Sequence, residues 1–206
     1  LSSAFKKIKI MTKSPLAAGF ILFAITMLIF FIVYYFFANS NYWNTTMQVN
    51  AFGMTFLYVF AGFASTYWLR LGTRITYPQA FKQTFITLFV GGFLSMFSIF
   101  AFLNYGDTEA RDMLNHQYVQ TELNNLNEAY AKKKQEVANH KDPAKVKELE
   151  DDYRNAKIAR EAAIKEDRNY FSFKFLSAIF GGFLLFYLML SIIIAGFMKN
   201  KKRYEE

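Results

Sequence analysis

The sequence predicts an all-α polytopic membrane protein with four transmembrane helices and an extramembrane antiparallel helical hairpin between the third and the fourth. Three observations carry this. Apolar stretches occupy residues 17–38, 51–69, 83–104 and 171–198. Each has about the 20 residues a helix needs to cross a ~30 Å hydrocarbon core. None contains Asp or Glu, and Lys174 is the one clear charge within them. The block 105–170 is instead highly charged, so the mean hydropathy of the whole chain is only +0.10 and the spans must be read by window. The chain divides accordingly. Residues 1–104 hold a basic tail and helices one to three, 105–170 the hairpin, and 171–206 the fourth helix with a second basic tail.

Each element follows from local chemistry. In residues 3–13, Phe5, Ile8 and Met11 recur every three residues among Lys6, Lys7, Lys9 and Lys13. That pattern suits either an amphipathic helix lying on anionic lipid or a basic tail flanking a span. The apolar run that follows is too long for the core of a cleavable signal, so it reads as a retained first span. Residues 39–50 carry no charge and read as a loop before the second span. In the connector 70–82, Thr76-Tyr77-Pro78-Gln79 fits a capping box, with Thr76 as cap and Gln79 reaching back. The third helix should therefore begin near Tyr77.

The 105–170 block reads as two helices. Asp107 or Thr108 can cap the first, with Glu109 and Asp112 favouring its N-terminal dipole. Leu114, Tyr118, Leu123, Leu126, Tyr130 and Val137 form a thin apolar stripe. The break lies at Asn139-His140-Lys141-Asp142-Pro143, and Asp142 with Pro143 starts the second helix. Its stripe is Val146, Leu149, Tyr153, Ala156, Ala159 and Ala163. So thin a seam is marginal alone, which leaves either a mobile polar stalk or, the favoured reading, a hairpin that packs on a partner or on a second copy. Leu123, Leu126, Tyr130, Val146, Leu149 and Tyr153 are the expected anchors.

Charge is divided by side. The N-terminal tail, the connector 70–82 and the C-terminal tail together hold eleven basic and two acidic residues, whereas 105–170 holds twelve basic and fourteen acidic. By the positive-inside rule both termini and the connector 70–82 face the cytoplasm, with 39–50 and 105–170 outside. The net charge of +8 thus flanks spans and is no sign of nucleic-acid binding. Within the spans, Gly91 with Ser95 and Ser177 with Gly181 have the small-xxx-small spacing that lets helices approach closely in lipid. Tyr34, Tyr35, Tyr42, Trp43, Tyr67, Trp68, Tyr105 and Tyr170 lie near span ends, as interfacial aromatic belts require.

No reaction-carrying motif is found. The chain lacks cysteine, which removes disulfides, thiolate metal sites and a thiol nucleophile. His116 and His140 are 24 residues apart and belong to different parts of a hairpin, so they do not make a metal site. Asp151-Asp152 and Glu166-Asp167 are adjacent in sequence and diverge around a helix, unlike convergent catalytic carboxylates. The spans bury no ionisable group of the kind proton- or ion-coupled transporters use. No catalytic, cofactor-binding or metal residue is expected, and no cofactor.

The order of elements carries a resemblance. The connector reads Ile75-Thr76-Tyr77-Pro78-Gln79-Ala80-Phe81-Lys82, the third span has paired Gly, and the fourth, after the charged insert, contains Ser191-Ile192-Ile193-Ile194-Ala195-Gly196. This resembles an uncharacterised family of small four-helix inner-membrane proteins, a domain of unknown function common in Bacteroidota. The resemblance implies a bacterial inner membrane and no particular activity. From the residues, the expected role is a non-catalytic subunit or scaffold of a larger membrane assembly. Its partners would be the lipid bilayer and other membrane proteins, or a second copy in a homo-oligomer. The alternatives are a transporter, channel-like or lipid-handling protein for an uncharged or amphiphilic molecule. Members of the family are often encoded near membrane glycosyltransferases, so the resemblance adds a partner of a polyprenyl-phosphate glycosyltransferase.

Overall fold

A computed structural model describes residues 14–39, 42–71, 74–140, 143–166 and 168–200. The proposed amphipathic segment 3–13 and the turn at 141–142 lie outside them. The fold is all-α, with no strand among the described residues. Four helices are long and apolar enough to cross a membrane: α1 (Pro15–Phe37), α2 (Tyr42–Arg70), α3 (Tyr77–Gly106) and α6 (Phe173–Met198). Between α3 and α6 stand α4 (Thr108–His140) and α5 (Pro143–Lys165). The chain is therefore a multi-pass membrane protein.

Helix starts follow the caps. Ser14 Oγ accepts from the Ala17 N–H at 3.5 Å, with Pro15 in the first turn. The Thr76 N–H donates to Gln79 Oε1 at 2.9 Å, completing the capping box that begins α3 at Tyr77. The Ala110 N–H donates to Asp107 Oδ1 at 3.0 Å, so Asp107 rather than Thr108 caps α4. Pro143 opens α5.

One boundary differs from the sequence expectation. Residues 42–50, read as loop, continue α2, which is wound as a π-helix over Val49–Met54. The reason is tertiary. Tyr42 is buried against Val33, Leu103 and Leu114, which holds this polar but uncharged segment helical where propensity alone would not.

Helix α3 is the hub of the membrane bundle, packing most extensively on α1, then α6, then α2. Leu22, Tyr58, Leu88, Tyr187, Leu190 and Ile194 form the bundle core. Hydroxyls and an amide are buried beside them. Thr66 and Thr84 hydroxyls lie 2.7 Å apart across α2 and α3, and Gln83 Nε2 donates to the Ser65 carbonyl at 3.4 Å. Thr87 donates to the Pro15 carbonyl on α1 at 3.3 Å. Meanwhile Phe20, Leu28, Phe56, Phe60, Leu185 and Ile192 point outward. Polar inside and apolar outside is the arrangement lipid demands. Hydrocarbon gives Leu no reason to hide, so close packing and interhelical hydrogen bonds hold the helices together.

Candidate functional site

The bundle and the hairpin meet in a built joint. At its base, Val33 of α1, Tyr42 of α2, Leu103 of α3 and Ala110 and Leu114 of α4 form a second buried cluster. The last turn of α3 is π-helical over Phe102–Gly106, and the Asp107 N–H donates to the Phe102 carbonyl at 2.8 Å. This wider turn ends the span and presents Asp107 to α1, where the Tyr34 hydroxyl donates to Asp107 Oδ2 at 2.5 Å.

Side-chain amides complete the clasp. Gln117 Oε1 accepts from the Trp43 N–H at 2.7 Å, while its Nε2 donates to the Asn39 carbonyl at 2.7 Å. One residue of α4 thus satisfies both flanks of the link between α1 and α2. On the other side, Asn115 Oδ1 accepts from the Tyr170 N–H at 3.0 Å. Asn104 Nδ2 donates to the Phe171 carbonyl at 2.9 Å, and Asn169 Nδ2 donates to Asn104 Oδ1 at 2.9 Å. The rings of Trp43, Tyr118 and Tyr170 meet edge to face, with centroids 4.9 and 4.7 Å apart.

The joint also shifts protonation. The Tyr34 hydroxyl, followed by the Ala110 N–H, holds the Asp107 carboxyl below the usual carboxylate range. Burial pushes the Tyr118 phenol up. The span-end aromatics fall into two groups. Tyr34, Tyr42, Trp43 and Tyr170 belong to the joint, whereas Tyr35, Tyr67, Trp68 and Tyr105 are exposed. Sequence reading missed the joint because its amides, Asn104, Asn115, Gln117 and Asn169, carry no pattern until the hairpin is folded back.

Above the joint the seam is thin. Tyr130 and Tyr153 stack at 4.2 Å between centroids, and the Tyr153 hydroxyl donates to Asn127 Oδ1 at 2.8 Å. Arg160 pairs with Glu122 at 3.4 Å and Lys134 with Glu150 at 3.5 Å. Tyr130, then Glu150, raises the Lys134 ammonium pKa. The six expected anchors all fall on this seam: Leu123, Leu126, Val146 and Leu149 are half-buried like the two tyrosines. Of the six, Tyr130 and Tyr153 face each other directly. Ile158, 56% exposed, and Ile164, 40% exposed, are large apolar side chains left outside, and Ile158 lines a shallow groove with Tyr130, Tyr153, Arg154 and Lys157.

The four small residues separate similarly. A Cβ on Gly91 would stand 2.7 Å from Leu22 Cγ, so α1 and α3 touch there. Ser95 is buried. Ser177 is half-buried, and nothing lies within 4 Å of the Cβ position of Gly181. Gly181 is therefore no contact point among the described residues, because α6 turns its Tyr187, Leu190 and Ile194 face inward instead. Three further contacts went unread, Gly92 against Tyr187 and the two that follow. A Cβ on Gly19 would meet Val90 Cβ at 2.7 Å, and one on Gly62 would meet Ile194 Cδ1 at 2.9 Å. Gly62-xxx-Thr66 has the small-xxx-small spacing that could have shown the last of these.

His116 is exposed, and among the described residues no group of three His, Cys, Asp or Glu side chains could hold a metal ion. The joint fixes a charged arm to the end of the membrane bundle.

The chain belongs to the family described as Protein of unknown function (DUF4199), whose model matches residues 18–200, from α1 to just beyond α6. The resemblance in the connector and in the last helix led to such a family, and its description assigns no activity. No curated protein and no solved structure matches the chain.

Proposed function

We propose that this member of the family is a non-catalytic membrane subunit or scaffold whose hairpin is the interaction element. The observation that carries this reading is the clasp at Asp107, Asn115 and Gln117. It ties the root of α4 to α1, to the α1–α2 link and to the segment before α6. An arm meant only to be long would not need three attachments. An arm that must present its tip at one attitude does.

The partner is another membrane protein or a second copy of this chain. Twelve basic and fourteen acidic residues nearly cancel over 105–170, which favours short-range fit over electrostatic steering. We place both termini on the cytoplasmic side of a bacterial inner membrane and the hairpin outside, following the basic residues.

The test is a truncation that spares the root. Residues 124–157 would be replaced by a short Gly/Ser turn, leaving the Glu122–Arg160 pair and everything below it. The four spans should still insert, because their backbone groups are satisfied within each helix. Co-purifying chains, or the oligomer seen by native mass spectrometry, should be lost. Unchanged companions and stoichiometry would refute the reading. A single cysteine at Lys133 of this cysteine-free chain tests orientation, since an impermeant maleimide should label it in intact cells.

A further inference from the structure

The opposite end of the bundle carries an unbalanced charge. Arg70 ends α2, Arg74 lies in the connector, Lys82 is in the second turn of α3 and Lys199 follows α6, and all four are exposed. No Asp or Glu occurs before Asp107, and none between Asp167 and Glu205. The carboxylates of α4 and α5 belong to the hairpin, on the far side of the spans. Nothing in the described part of this end can neutralise the four cations.

The end is nevertheless organised. The Ile75 N–H donates to Asn200 Oδ1 at 3.0 Å, and the Asn200 N–H donates to the Ile75 carbonyl at 3.1 Å. This two-bond clasp pins the connector to the segment after α6. Ile75 is buried with Ala80 and Ala195, and Phe81 and Met198 pack on them. Arg74 and Lys199 are therefore neighbours of the two clasped residues, and Lys199 Nζ stands 5.9 Å from the centroid of the Tyr77 ring.

One turn beyond Tyr77 an aromatic ladder begins. Phe81, Phe85, Phe89 and Phe93 repeat every four residues and stack in succession at 5.9, 6.0 and 5.8 Å. Phe180 of α6 closes the far end, 6.1 Å from Phe89 and 5.9 Å from Phe93. Helix rise makes the ladder about 18 Å long, roughly the depth of one leaflet. Its rings are half-buried down to Phe93, which is 42% exposed.

From this juxtaposition we infer that the Arg74–Lys199 patch and the Phe81–Phe93 ladder together form a binding site for one anionic glycerophospholipid. The phosphate sits over Arg74 and Lys199, and an acyl chain lies along the phenylalanine wall. Position and charge select the occupant. These side chains stand where two spans meet the headgroup layer, no carboxylate faces the patch among the described residues, and a stacked apolar wall leads from it into the hydrocarbon. The inference does not depend on the hairpin's role.

The experiment uses the full-length protein in mild detergent, titrated with long-chain phosphatidylglycerol and read by native mass spectrometry and by melting temperature. One lipid per chain should be retained and should raise the melting temperature. Phosphatidylcholine with the same chains should bind at least about tenfold more weakly, since each basic residue near an anionic headgroup contributes appreciably. Arg74→Gln with Lys199→Gln should weaken phosphatidylglycerol binding by about tenfold or more, while Lys132→Gln with Lys133→Gln on the hairpin removes the same charge without effect. Arg74→Lys with Lys199→Arg should retain binding, separating charge from folding. Short-chain phosphatidylglycerol should bind poorly, because it cannot cover the ladder. Equal binding of the two headgroups, equal binding of short and long chains, or unimpaired binding by the double Gln variant would overturn the inference.

Discussion

Tyr34 in the last turn of α1 donates its hydroxyl to Asp107, the first carboxylate in the chain, 73 residues later. Both oxygens of Asp107 are engaged: Oδ2 accepts from Tyr34, and Oδ1 caps α4 through the Ala110 N–H. A single side chain thus starts the hairpin and ties its first turn to the first span.

This geometry makes the joint sensitive to acid. The folded-state pKa of Asp107 lies below its ordinary value of 3.8. Its contribution is therefore complete above about pH 4 and is lost as pH falls through the folded pKa. Below pH 4 the wild type should lose protection of the α4 root in hydrogen exchange. Asp107→Asn should flatten that acid limb while keeping a cap, and Asp107→Ala should weaken the root at every pH by removing both bonds. An acid limb unchanged in Asp107→Asn would assign the effect to another group.

Gly91 and Gly181 should behave oppositely on enlargement. Gly91→Leu forces α1 away from α3 at Leu22, which is 1% exposed and cannot withdraw. Overpacking of this kind costs about 1–3 kcal/mol, visible as a lower melting temperature in detergent. Gly181→Leu meets no neighbour within 4 Å and should leave the single chain's melting unchanged. A loss at Gly181 equal to that at Gly91 would mean that a second copy covers α6 there.

The Thr66–Thr84 pair tests how far hydroxyls hold α2 on α3. Both residues are fully buried, their oxygens are 2.7 Å apart, and Thr84 also donates to the Ala80 carbonyl at 3.0 Å. Thr66 is thus the donor to Thr84. Single and double Thr→Val variants should show a coupling of about 0.6 kcal/mol, with an upper bound of about 1.7 kcal/mol from comparable bonds in lipid. Strict additivity would show that shape, not the hydrogen bond, holds this contact.

The spans, the hairpin and most helix starts were legible because they rest on local chemistry: apolar length, the Thr76–Gln79 capping box, and Pro143 after a polar break. Local chemistry also misled over residues 42–50. Asn44, Thr45 and Thr46 look like loop, and only burial of Tyr42 beside Leu103 and Leu114 makes them helix. The joint was illegible for a related reason. Gln117 is an ordinary polar residue on a polar helix until Asn39 and Trp43 arrive 2.7 Å away. Helix-packing glycines were half legible. Spacing finds Gly91, but it cannot tell an inward face from the outward face that carries Gly181.

The hairpin tip should depend on a single contact in a way its root does not. Tyr130 and Tyr153 stack at 4.2 Å with planes 22° apart, and the Tyr153 hydroxyl bonds Asn127. Around them, among the described residues, the seam offers half-buried Leu126, Val146 and Leu149, together with the exposed Lys134–Glu150 pair. Exposed ion pairs contribute little, so the stacked rings are the main lock of the tip. An aromatic pair is worth about 0.5–1.5 kcal/mol beyond its area. Tyr130→Ala should therefore speed amide exchange over 124–157 several-fold. Exchange over 110–119, held by the clasp of Asp107, Asn115 and Gln117, should not change, nor should melting of the spans. If the root loosens together with the tip, the hairpin is one cooperative unit and the clasp does not isolate it. If neither responds, the tyrosine stack is not what holds the two helices together, and the burden falls on the aliphatic seam below.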